Sequence, residues 1–501
     1  MSTQTTSFET AFGEASSAQD RRAATRAGLP GNLQQFPDAD QVDVVDPYTQ
    51  EVVASVARCG PAEVDAACRR AHGAQERGMP QWERALVLDR LALLLADHTE
   101  RLAAIITLEN GKAIRDARTE VSRATETVRF AAAQARTLTG DLVAAEATPT
   151  GEGKMAMALR LPIGVVAAIT PFNFPLNTVL HKVAPAIAAG CAVVLKPAHQ
   201  TPLTALALHE LLLEAGLPED WVTVVTDDGV SAGPALVEHP IPRLVTFTGS
   251  TTVGWGIAQT AHRKRVALEL GSNAPVIVAA DADVAEAAIR IVRAAYGTSG
   301  QSCISVQRVL VHRSRHQDLV DELGRRADAL VVGDPFDDGT DIGPLILPAA
   351  TQRVQEWIDE AAGMGASLVA GGVRDGACLR PTVVDQAPTG SQLRDAEAFG
   401  PVLTVVPFDE PEEAFAIANE TPYGLQAGIF TSDLGLALRA VRELDFGGVL
   451  VNDIPTTRLD QQPYGGVGDS GNTREGPASA VVEMTEVRFV SFQAPPTAVV
   501  P

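Results

Sequence analysis

The chain has 501 residues, 46% of them hydrophobic and 20% charged, with a formal net charge of −22. That length accommodates roughly two or three domains with large cores. The acidic excess repels phosphate backbones and anionic lipid, which argues against nucleic-acid and membrane-surface partners, and no run reaches the ~18 clean apolar residues of a transmembrane helix.

An anionic substrate would need a local basic pocket in such a field. The five cysteines are Cys59, Cys68, Cys191, Cys303 and Cys378. Their number is odd, their spacing is wide and no CxxC pair occurs. This argues against a disulfide framework and a zinc site, so no metal is expected, and it suits a reducing cytoplasm.

Residues 1–40 are rich in Ser, Thr, Ala and Gln and lack a basic start followed by an apolar run. They are expected to form a mobile or loosely docked extension rather than a secretory signal. VDVVDPYTQEVVASV (42–56) predicts two strands around a proline-containing turn. Helices follow from Pro61, over 81–109 with a leucine stripe, and over 116–136. Short apolar runs then alternate with helical segments. Strands are predicted at 163–170, 191–197, 221–226 and 244–250, and across 266–280, with helices at 178–189 and 202–216. This alternation predicts an α/β fold with parallel sheet and helices on both faces. VLTVVPF (402–408) reads as a later strand. EVRFVSFQ (486–493) reads as an edge strand of the kind that pairs with another subunit.

Four local features carry chemistry. Cys303 lies in YGTSGQSCISVQR, where Gly297 and Gly300 permit a tight turn beside a thiol. Glu269 in LELGSN ends an apolar run, where a carboxylate is costly to bury and becomes a general base if kept dry. Asn173 in TPFNFPLN is held between two prolines, which suits an amide donor for an oxyanion. FTGSTTVG runs from a strand into Gly249, Ser250 and Gly254, a turn suited to phosphates at a helix start. Each has a plainer reading: a buried cysteine, a salt-bridged glutamate, a turn asparagine, an ordinary glycine turn. A fifth feature, GVSAG, matches the serine-hydrolase elbow with Ser231 as nucleophile.

Taken together, TPFNFP, VVLKPA, FTGSTTVG, LELGSN, YGTSGQSC, AEAFGPV, PYGGVGDSG and TREG, in this order, resemble the aldehyde dehydrogenase superfamily over about residues 42–493. The resemblance implies a Rossmann-like cofactor domain from 41–139 and 162–270 and an α/β catalytic domain over 271–450. It also implies a small β oligomerisation unit from 140–161 and 484–495. NAD or NADP is the implied cofactor, an aldehyde the substrate, and a homodimer or homotetramer the assembly. By resemblance Cys303 is the nucleophile, Asn173 and the Cys303 N–H hold the oxyanion, and Glu269 activates the water that hydrolyses a thioester. Lys196 resembles the adenosine-ribose ligand, Gly249 and Ser250 the pyrophosphate turn, and Glu397 the nicotinamide-ribose ligand with Phe399 beside it. Thr170, Phe172, Gly254 and Gly271 complete the implied cofactor residues.

Three departures stand out. His199 replaces the glutamate frequent in NAD-preferring members, and a protonated histidine there would attract a 2′-phosphate. Ser272 replaces a glycine, and Asn472 and Thr473 alter the usual SGxGRE. EVSRA, T-R-x-D-x-x-PYGG and GQSCISVQR resemble the lactaldehyde, phosphonoacetaldehyde and non-phosphorylating glyceraldehyde-3-phosphate dehydrogenase branch. There, arginines at the places of Arg123 and Arg458 grip an anion. Ser302 stands where such members carry a third arginine, and Phe174 where the phosphonate type has histidine. The expected substrate is a small polar or anionic aldehyde, with carboxylate or hydroxyl ahead of phosphonate. Two rival readings fit the same residues: a serine hydrolase using Ser231, and a non-catalytic aldehyde-dehydrogenase-like binding protein.

Overall fold

Valine- and alanine-rich runs buried on both faces form the strands of a five-stranded sheet, as parallel sheets covered by helices demand. The computed structural model describes residues 3–31 and 36–493. The strand order is Val222–Val224, Val193–Lys196, Val166–Ile169, Leu244–Thr248, Arg265–Glu269, with every neighbouring pair parallel. Helices Asn177–Ala189 and Pro202–Glu214 make crossovers between these strands. The first of them stops at Gly190, whose φ of 90° closes the helix in the left-handed region.

A seven-stranded sheet follows in the chain. Its order is Ser367–Ala370, Thr382–Asp385, Val402–Phe408, Val306–His312, Ala274–Val278, Gln426–Phe430, Gly448–Val451. Only the first pair is antiparallel. A third, antiparallel sheet joins Thr485–Gln493 to Lys154–Pro162 and then Asp141–Val143. The edge strand read from EVRFVSFQ therefore pairs within the chain on one side, and Val487, Phe489 and Phe492 on it are exposed. No described helix is long and apolar enough to cross a membrane.

Two expectations change. The helix over 81–109 is two helices, Gln81–Asp97 and Thr99–Asn110, which break at His98 with φ −102° and ψ 21°. The N-terminal extension, expected to be mobile or loosely docked, is helical over Thr3–Glu14 and Ala18–Ala27. Phe8 and Phe12 stack at 5.3 Å and are buried, and each buried ring contributes about 1.5–3 kcal/mol. Arg22 ties the second helix down, 2.6 Å from Asp46 and 3.0 Å from Asp334. Polar composition obscured this because arginines do much of the anchoring: Arg21 also reaches the Phe336 carbonyl and Asp338, and Arg26 reaches Glu51.

Candidate active site

Between Val166–Ile169 and Leu244–Thr248 the strand order reverses, and the loops leaving the two carboxyl ends diverge into a crevice. Thr170, Phe172 and Asn173 leave the first strand, Gly249 and Ser250 the second, and Glu269 ends the adjacent one. The Thr170 N–H donates to the Lys196 carbonyl at 3.1 Å, and the Gly249 N–H to the Glu269 carbonyl at 3.1 Å. These bonds extend the ladder to the crevice lip.

Cys303 arrives from the other sheet. Helix Val284–Tyr296 ends in a turn where Thr298 and Ser299 both take φ 53° and Gly300 takes φ 72°. A Cβ on Gly300 would lie 2.1 Å from the Gly400 carbonyl oxygen, so only glycine fits there. Gly297, with φ −53°, uses none of that freedom. Left-handed Thr298 and Ser299 cost about 1–3 kcal/mol each. The Thr298 N–H to Asp116, 3.0 Å, and the Ser299 hydroxyl to the Gly343 carbonyl, 3.0 Å, help hold them. The Asn173 Nδ2 donates one hydrogen to the Gln301 carbonyl at 2.8 Å. That bond sets its amide two residues from the thiol with a second N–H to give.

A cavity of about 1590 Å³ joins these parts. Cys303, Asn173 and Glu269 line it together with Thr170, Phe172, Lys196, His199, Gly249, Ser250, Gly271, Glu397 and Phe399. Arg123, Arg458, Phe174 and Ser302 line it as well. Gly254 departs from its expected place: it is absent from the lining, and a Cβ there would lie 2.3 Å from Leu270. Its lack of a side chain lets helix Thr251–Thr260 press onto the strand end. Ser231 is absent from the lining too, and its hydroxyl donates to Asp228 at 2.7 Å.

The electrostatics separate the acids. Burial, then the Glu475 charge, pushes the Glu269 carboxyl up to about 8, and its Oε1 has no partner. Burial also acts on Glu475, but Lys182 at 2.7 Å and Arg458 at 3.4 Å hold it below the usual carboxylate range. Burial and the Glu269 charge push the Cys303 thiol well above its ordinary value, against the pull of Tyr464 and Arg458. Sequence reasoning passed over Lys182, Glu475 and Tyr464. The signals were a lysine inside the apolar helix NTVLHKVAPAIAA, the glutamate of TREG and the tyrosine of PYGG.

The residues present suit a nicotinamide dinucleotide. The Thr170 Oγ1, Asn173 Oδ1 and Glu269 Oε1 are buried polar atoms without partners along one cavity. Glu397 accepts the Ser272 N–H at 3.0 Å and lies so close to Gly271 that a Cβ there would meet its Oε2 at 2.5 Å. Phe172 and Phe399 meet edge to face at 5.8 Å. Ser272 is not among the positive-φ residues, so serine is unstrained there. Asn472 accepts the Leu268 N–H at 2.8 Å and donates to the Val266 carbonyl at 3.1 Å, pinning the strand that carries Glu269. Thr473 donates to Glu483. Lys196 pairs with Asp227 at 2.9 Å. Burial and the Lys196 charge push His199 below its usual value, so the cationic form is disfavoured.

The two arginines are engaged. Arg123 meets Asp460 at 3.1 Å and donates to the Arg458 carbonyl at 3.1 Å. The Arg458 guanidinium stacks over Tyr464 at 3.8 Å. Phe174 carries the Lys112 ammonium 4.0 Å from its ring centre. Lys112 pairs with Glu120 at 2.5 Å, and Glu120 accepts the N–H groups of Leu176 and Asn177. This buried pair braces the loop that bears Asn173.

The model of the aldehyde dehydrogenase family matches residues 36–490. The 3-sulfolactaldehyde dehydrogenase of Priestia megaterium is 43% identical over 463 residues, 92% of this chain and 97% of that protein. Aldehyde dehydrogenase 21 of Physcomitrella patens, solved with the reaction product succinate, superposes with a TM-score of 0.89 at 37% identity, covering 92% of this chain and 96% of that one. The glyceraldehyde-3-phosphate dehydrogenase GapN of Methanocaldococcus jannaschii, complexed with NADP, gives 0.88 at 34% identity, covering 91% and 100%. With a family match across nearly the whole chain and a fold shared with coenzyme-bound relatives, this protein belongs to the aldehyde dehydrogenase family and oxidises an aldehyde with NAD or NADP.

Proposed function

We propose that this enzyme oxidises a small anionic or polar aldehyde to its carboxylic acid through a thioester on Cys303. The carrying observation is that Cys303, Asn173 and Glu269, from three distant segments, line one cavity with Arg123 and Arg458. In this reading the Cys303 sulfur attacks the carbonyl carbon. Asn173 and the Cys303 N–H donate to the oxyanion. NAD(P)+, when bound, supplies the hydride acceptor. Lys196 and Glu397 would hold its two riboses, and Gly249 and Ser250 would face the pyrophosphate. Glu269 then takes a proton from water, which opens the thioester and frees the acid. The domain division given above and assembly as a homodimer or homotetramer belong to the same reading. Exposed Val487, Phe489 and Phe492 on the edge strand support the assembly.

Arg123 and Arg458 support an anion at the far end of the substrate, as do relatives named for 3-sulfolactaldehyde and solved with succinate. A charge-assisted hydrogen bond contributes about 1.5–3 kcal/mol, or on the order of 10- to 100-fold. A kcat/KM panel of 3-sulfolactaldehyde, succinic semialdehyde, lactaldehyde and propanal should favour the anionic pair over propanal by about that factor. Arg123→Gln should lower only the anionic values. Preference for propanal, unmoved by that substitution, would remove the anion pocket.

Coenzyme choice follows from the ribose corner. Asp227 takes up the Lys196 charge, and His199 favours its neutral form. A 2′-phosphate therefore meets little uncompensated positive charge. NAD+ should bind about tenfold more tightly than NADP+, a difference of about 1.4 kcal/mol. Quenching of tryptophan fluorescence by each coenzyme measures it; equal or reversed affinities would refute the argument.

A further inference from the structure

Tyr464 is 1% exposed, and its backbone is fixed on both sides. Its N–H donates to the Glu475 carbonyl at 2.8 Å, and its carbonyl accepts the Glu475 N–H at 2.6 Å. Its ring packs with Ile304 and Leu425, and Cys303 lies against the same cluster. The phenol oxygen sits 3.1 Å from the Cys303 sulfur. The Arg458 guanidinium lies 3.8 Å from the ring centre. A phenol is a far better donor than a thiol, and a donor facing a thiolate makes the stronger, charge-assisted bond. A cation over the ring draws electron density from the phenol and sharpens that donor.

On the reading that Cys303 is the nucleophile, we propose that Tyr464 is a further catalytic residue. Its hydroxyl donates to the Cys303 sulfur, holding the thiolate formed and aimed while Arg458 polarises the ring. The phenol keeps its own proton throughout. Burial and the neighbouring Cys303 and Glu269 charges push its ionisation well upward, so it serves as donor and not as base. The groups that set the charge at the sulfur are Glu269, Glu397, Tyr464 and Arg458. Glu269 and Glu397 oppose the thiolate, which leaves Tyr464 and Arg458 to favour it.

The test is the pH dependence of Cys303 alkylation by iodoacetamide in the full-length enzyme without substrate, with the modified residue assigned by mass spectrometry. Tyr464→Phe removes one oxygen and keeps the ring under Arg458. It should move the midpoint of the alkylation profile up by about one pH unit, so that the rate near neutrality falls about tenfold while the high-pH plateau is kept. kcat/KM should fall in parallel near neutrality and recover as pH rises, with NAD+ affinity unchanged. An unmoved midpoint, or faster alkylation of the variant, would overturn the role of Tyr464 and leave the nucleophile intact. Full turnover by Cys303→Ser would instead bring down the reading beneath it, and the proposal with it.

Discussion

Glu269→Gln is expected to release about one equivalent of reduced coenzyme per active site and then stall, because only the water-activating step needs the carboxylate. Glutamine keeps the shape and fills the same dry pocket, but it cannot accept a proton. Steady-state kcat should fall roughly 10²- to 10⁴-fold, the range for loss of a general base. The first turnover should survive, since attack and hydride departure proceed before water is required. Stopped-flow absorbance of reduced coenzyme reads the burst, and intact-protein mass spectrometry reads the acyl group retained on Cys303. The wild type carries the matching signature. Burial and Glu475 push Glu269 up to about 8, so its basic form is the minor one at neutral pH. Wherever hydrolysis limits turnover, kcat should rise about tenfold per pH unit below that value and level off above it. A Glu269→Gln enzyme that turns over at the wild-type rate, with no burst, would refute the assignment.

Cys303→Ser should remove activity altogether, by on the order of 10⁶-fold in kcat, the scale seen when an acyl-transfer enzyme loses its nucleophile. Serine replaces sulfur with a smaller and much less acidic group, whose alkoxide is far less accessible than a thiolate. The fold should barely register the change. Cys303 is partly exposed, and the turn that carries it is held by Thr298, Ser299 and Gln301 rather than by the thiol. Coenzyme affinity and Tm should therefore match the wild type, which separates lost chemistry from lost structure. Ser231→Ala is the control: its hydroxyl is bonded to Asp228 and does not line the cavity, so activity should persist. Loss of activity in Ser231→Ala with retention in Cys303→Ser would revive the hydrolase alternative.

Much of the architecture was legible because its signals are local. IGVVAAIT and CAVVLKP are short, β-branched and bounded by glycine or proline, and they became neighbouring parallel strands. Ordered motifs pointed to Cys303, Glu269 and Asn173, and these three do share a cavity. Gly254 shows the limit of motif reading, since a glycine in a turn serves a ligand or a close packing contact and only the neighbouring Leu270 tells which. The N-terminal segment shows another. Its composition resembles a solvated tail, yet Arg22 finds Asp46 and Asp334, the latter more than three hundred positions away.

Periodicity, turn chemistry and motif order were enough to establish an α/β enzyme with a thiol, a carboxylate and an amide in reserve. They were silent on what each group is worth, because a pKa belongs to an environment and not to a residue type. Burial beside Glu475 raises the Glu269 carboxyl, and Lys182 with Arg458 keeps Glu475 ionised. Tyr464 meets the sulfur only because PYGG folds back against the turn that carries Cys303. Those contacts join positions far apart in the chain. No local pattern encodes them, since the energy of a charge depends on what the completed packing leaves around it.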